Sequence, residues 1–213
     1  MLRQALNQTN QSPNRIVYSS LDRKRWMEQT PSVDLARPAQ CPLCENPSRP
    51  CGGPLGLWGH GLRERQQRGP LTPEGEPQIV GVTGRRYQCQ RCSAILLVVP
   101  RGVLPRRQYS GAAIALALTL WGLLDLSLPE VRKRISPWPI VGDCAASEWA
   151  TLRRWVQAIQ EGTLFPEVRP SPPEFTKRQV AARAATTFCA MAGPQRAREG
   201  PESQAFFGGM QMR

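Results

Sequence analysis

Two cysteine pairs dominate the chemistry open to this sequence. Cys41-Pro42-Leu43-Cys44 and Cys89-Gln90-Arg91-Cys92 each space their thiols by two residues, at the two ends of one segment. Two intervening residues let a tight turn aim both sulfurs at one ion, while local backbone N–H groups soften the thiolate charge. Two such turns supply four tetrahedral ligands. The expectation is one structural Zn2+ held by Cys41, Cys44, Cys89 and Cys92. Four protein ligands leave no open position for water, so metal binding would serve folding rather than catalysis. The loop between the pairs is longer than is usual in zinc domains. Strand-like flanks compensate, because a zinc ribbon mounts its turns on β-hairpins.

Other residues compete for the same ion. Cys51 and His60, the single histidine, are alternative ligands. A zinc deaminase is excluded, since His60 is followed by Gly61-Leu62 where H-x-E is required. Seven cysteines in this arrangement suit metal binding better than a disulfide framework, and Cys144 and Cys189 read as small apolar fillers. Metal-dependent strand transfer needs converging carboxylates. Asp125, Glu130, Asp143, Glu148 and Glu161 are instead scattered over capping positions and helix faces. The chain therefore reads as a non-enzyme without a small-molecule substrate.

Charge points to a polyanion. Lys+Arg 28 against Asp+Glu 16 gives +12, which suits nucleic acid. From Gln78 to Leu124 there is no Asp or Glu, while Arg85, Arg86, Arg91, Arg101, Arg106 and Arg107 fall there with Tyr87 and Tyr109 between them. Arg63, Arg65 and Arg68 form another cluster. No leader-like apolar start is visible, and Gly111–Leu124 falls short of the roughly 20 residues that span a bilayer. The expected setting is cytoplasmic and nucleoid-associated, with no membrane.

These residues need elements to position them. Met1–Gln40 lacks periodicity and reads as a flexible basic arm, with Met27 as an alternative initiator. Gly52–Glu76, rich in Gly and Pro, reads as loop; Ile79–Val82, Arg85–Tyr87 and Ile95–Val99 read as strands. Helical spacing begins at Ser110 with Ala113, Leu116, Ala117, Leu120 and Leu124. Ser127-Leu128-Pro129-Glu130 is a capping box opening a second helix to Ile135, and a third spans Ala145–Gln160. A helix-turn-helix would use that third helix as reader, presenting Arg153, Arg154 and Gln157, although Ser136–Cys144 makes the turn long. Phe165–Pro173 reads as linker, Thr176–Met191 as a short helix, and the remainder as frayed. The expected class is α+β: a small N-terminal zinc ribbon of short antiparallel strands, then a helix-turn-helix-like bundle, with disordered termini. The spans are 1–31 arm, 32–105 zinc ribbon, 106–165 helical domain and 166–213 linker, short helix and tail.

Several motifs carry a resemblance. Ser32-Val33-Asp34-Leu35-Ala36-Arg37, both cysteine pairs, Gly59–Gln66, Arg85–Cys92, Val98–Arg101, Tyr109-Ser110 and Thr151–Trp155 look like the small bacterial zinc-ribbon plus helix-turn-helix proteins associated with insertion sequences. The resemblance covers about Ser32–Arg169 and implies that the paired cysteines hold zinc and the Arg153-Arg154-Trp155 helix binds double-stranded DNA. It implies an accessory or regulatory role in a mobile element, with a separate transposase as a further partner. The competing reading is a protein–protein adaptor that docks a transposase through the ribbon and the apolar helices. RNA is not separable from DNA by charge alone.

Overall fold

Ser110 opens the most apolar helix of the chain. Its Oγ accepts from the Ala113 backbone N–H at 3.0 Å and caps α2, Gly111–Gly122. In the computed structural model, which describes residues 15–139, 141 and 149–212, α2 is enclosed over most of its length. Every residue from Gly111 to Leu120 is buried. Around it pack α3 (Leu128–Ile135), α4 (Ala150–Gln160), α5 (Lys177–Met191) and α6 (Pro201–Gln211). The bundle covers this helix through Leu120, while Trp121 is half-buried and Leu123 and Leu124, just past the helix, are exposed.

The α3 capping box forms as expected: the Ser127 backbone N–H donates to the Glu130 carboxylate at 2.9 Å. On α4, Leu152, Val156 and Ile159 are buried while Arg153, Arg154 and Gln157 face out. Tyr109, Trp149 and Trp155 fix that orientation through edge-to-face contacts at centroid distances of 5.0 to 6.2 Å. The helix begins at Ala150; residues 145–148 of the expected third helix, and Cys144, lie outside the described residues.

Four strands form one sheet in the order β1-β4-β3-β2, with β1 Ile16–Tyr18, β2 Leu57–Gly69, β3 Gln78–Cys89 and β4 Ile95–Val99. β1 runs parallel to β4, and the other pairs are antiparallel. The sheet joins the bundle where Arg68 N–H donates to Gln108 O at 2.8 Å and Ser110 N–H to Arg68 O at 3.2 Å.

Three expectations are corrected. Gly52–Glu76 is not all loop, because Leu57–Gly69 pairs with β3 from Leu57↔Cys89 to Gly69↔Gln78. Its polar residues disguised it: much of β2 faces solvent on both sides, and a bulge between Gly59 and Leu62 breaks the alternation. The hairpin strands are correspondingly long rather than short. Next, the described part of the N-terminal arm is ordered as β1 and α1, Arg23–Glu28, with Asp22 Oδ1 capping Arg25 N–H at 3.0 Å. Both elements are too short to display a period.

The C-terminal segment is the third correction. Phe165 and Val168 are buried rather than in a linker, and Phe165 meets Phe188 edge to face at 4.9 Å. α5 forms as expected, but α6 follows it instead of a frayed tail, with Phe206 fully buried. The glycines hide it from a periodicity reading. A Cβ on Gly208 would lie 1.8 Å from Phe188 O, so α6 reaches α5 only because that side chain is missing.

Candidate metal centre

Each cysteine pair is folded by the same backbone pattern. Glu45 N–H donates to Cys41 O at 2.8 Å and Ser93 N–H to Cys89 O at 2.9 Å. Cys41 N–H donates to Asn46 O and Cys89 N–H to Ala94 O, both at 2.9 Å. Glu45 and Ser93 each take φ of 58°, the left-handed conformation that ends such a turn. The two turns thus share one backbone pattern and are joined across the end of the sheet by Gly56. Gly56 N–H donates to Ser48 O, and Gln90 N–H donates to Gly56 O, both at 2.9 Å.

The copies face each other. The four ligand sulfurs lie within 4.8 Å of one another, with Cys41 Sγ to Cys92 Sγ at 3.8 Å and Cys44 Sγ to Cys89 Sγ at 3.6 Å. A tetrahedral ion with metal–sulfur bonds of about 2.3 Å requires sulfur–sulfur edges of about 3.8 Å, so the set fits a metal ion. All four cysteines are free of disulfides. Cys41 and Cys89 are buried, Cys44 is half-buried and Cys92 is exposed. Tyr87, Leu57 and Leu96 pack beside them, and Tyr87 Oη donates to Val33 O at 2.6 Å.

The thiols divide electrostatically. Burial pulls the Cys89 thiol up, yet backbone N–H groups of Cys92 and Arg91, with hydrogen bonds from the Cys44 and Cys92 thiols, bring it down to about 6. Asn46 N–H favours the Cys44 thiolate, but desolvation and its hydrogen bonds to Cys92, Cys89 and Cys41 push it up to about 12. The surroundings thus favour the thiolate at Cys89 and disfavour it at Cys44. A cation among the four sulfurs would favour the thiolate form at both. Asn46 Nδ2 also approaches Cys89 Sγ at 3.9 Å, adding a donor to the same sulfur.

No protein-family model, curated protein or solved structure matches this chain. The insertion-sequence resemblance thus stands on its motifs alone.

The alternative ligands are placed apart. Cys51 and His60 are both exposed and lie outside the four-sulfur cluster, His60 at the β2 bulge. Asn46 and Gly56 were not singled out by the sequence, because Gly56 falls in the stretch read as loop.

The candidate nucleic-acid residues divide among four places in the fold. Arg85 and Arg86 are adjacent on β3 and so point to opposite faces of the sheet; Arg85 Nε donates to Pro31 O. Arg91 sits on the second cysteine turn and donates to Cys44 O at 3.4 Å. Arg106 and Arg107 lie on the connection between β4 and α2, and Arg153, Arg154 and Gln157 on the outer face of α4. Gln157 Nε2 donates to Glu161 Oε1 at 2.8 Å. Arg63, Arg65 and Arg68 are on β2 rather than in a loop; Arg65 donates to Leu104 O and Arg68 lies over the Trp138 ring. Among the described residues, no helix is long and apolar enough to cross a membrane.

Proposed function

We propose that this chain is a zinc-stabilised, double-stranded DNA-binding protein that acts by binding rather than catalysis. One Zn2+ would be held by Cys41, Cys44, Cys89 and Cys92, closing a zinc ribbon formed by the two cysteine turns with β2, β3 and β4. The observation that carries the DNA half is the outer face of α4, where Arg153, Arg154 and Gln157 are exposed on a chain of net charge +12. The Tyr109–Trp149–Trp155 contacts hold that face rigidly outward. Arginine there suits phosphate, and suits guanine edges if α4 enters a major groove.

The sulfur geometry supports a closed ion with no position for a reacting water. An accessory role beside a transposase in a bacterial mobile element follows from the motif resemblance, with a nucleoid-associated location. Ser136–Cys144 makes the sequence spacing long for a helix-turn-helix, so α4 is the element to test rather than the pair. Fluorescence anisotropy with labelled duplex, from 50 to 300 mM salt as the rough range over which phosphate contacts weaken, supplies the test. Arg153→Ala/Arg154→Ala is expected to weaken binding about tenfold or more at low salt and to flatten the salt slope by about two. Equal affinity at every salt concentration would remove α4 from the interface.

A further inference from the structure

A cavity of ≈ 820 Å³ opens where the connection from β1 to α1 meets α6. Small-molecule sites occupy roughly 300–1,000 Å³. Arg23, Lys24, Arg101 and Arg196 line it against one carboxylate, Asp22, which is already engaged by the Arg25 backbone N–H.

Arg23 decides what the cavity is suited to. Its side chain is half-buried, and the guanidinium donates to two neutral acceptors, Arg101 O at 3.1 Å and Gln67 Oε1 at 2.6 Å. Burial lowers its pKa from the usual arginine value. Among the described residues no carboxylate pairs with Arg23, Lys24 or Arg101. A guanidinium has five donors, and two are used. Buried charge without a counter-charge is costly, and an anion in the cavity would supply one. Arg196 is already balanced by Glu199 at 2.8 Å and lies over the Phe207 ring. Beside these cations the wall is apolar, from Met27, Phe207 and Met210.

We infer that this cavity binds a small phosphomonoester carrying an apolar or aromatic body. The planar arginine fork and the neighbouring lysine match a doubly charged phosphate. The Phe207 and Met210 side receives the body. This ligand class runs against the expectation that the chain takes no small molecule. The inference stands apart from DNA binding, since none of these residues belongs to α4.

Calorimetric titration of the full chain at fixed ionic strength tests it, with inorganic phosphate, phenyl phosphate, adenosine monophosphate and adenosine as probes. At least one of the two esters is expected to saturate one site at least tenfold more tightly than phosphate or adenosine. Lys24→Gln/Arg101→Gln, which leaves the Arg23 side-chain bonds in place, is expected to weaken that ester tenfold or more. Arg153→Ala/Arg154→Ala is expected to leave it unchanged. No saturable binding of either ester overturns the inference. So does an affinity unmoved in the well-folded Lys24/Arg101 double variant.

Discussion

The indole Nε1 of Trp26 donates a 2.8 Å hydrogen bond to the carbonyl oxygen of Thr83, within β3. Through this contact a six-residue helix near the start of the described chain is fastened to the sheet that carries the second cysteine turn. Trp26 is 3% exposed and shares its core with Leu96, Val98, Tyr87 and the buried cysteines.

Trp26→Ala is therefore expected to cost about 3–5 kcal/mol in urea unfolding, the range for emptying a large aromatic site. Trp26→Phe keeps most of the packing and loses the indole donor, so it should cost less, near about 1–3 kcal/mol for the unsatisfied carbonyl. A chain begun at Met27 lacks the same anchor and β1 as well, and should be less stable than the alanine variant. Equal stability of wild type and Trp26→Ala would show that α1 contributes nothing to the fold.

Gly56 links the two cysteine turns, and its missing side chain is a requirement of the site. A Cβ there would lie 2.0 Å from Pro47 O and 2.7 Å from Asn46 Nδ2. The backbone would have to shift, and its bonds to Ser48 and Gln90 would move both turns with it. Gly56→Ala is expected to lower metal retention at least tenfold in competition with a chromophoric chelator. Gly53→Ala, at an exposed position whose nearest neighbour is the Pro50 ring, serves as control. Matching retention in Gly56→Ala and wild type would mean that the turns are positioned independently of this residue.

The four-cysteine cluster was legible in the sequence because its information is local. Two residues between thiols define a turn, and Cys41–Cys44 and Cys89–Cys92 each form one. The caps at Ser110 and Ser127 were legible for the same reason. What escaped depends on distant partners. β2 is recognisable only through its register with β3, and Trp26 only through Thr83. α6 resembles a frayed end because its Gly208-Gly209 step trades side chains for close approach to α5 and α2. The cavity at Arg23 joins residues from the two ends of the described chain, a convergence no spacing rule encodes.

Metal content measured by mass spectrometry on purified protein tests the central claim most directly, on wild type beside Cys41→Ser/Cys89→Ser, Cys51→Ser and His60→Ala. About one zinc per chain is expected in wild type, Cys51→Ser and His60→Ala, as a single four-thiolate site requires. The Cys41/Cys89 double variant should carry none and should unfold at a markedly lower temperature, because metal binding and folding are coupled. A well-folded wild type without zinc, or a double variant that keeps it, would contradict the four-cysteine centre.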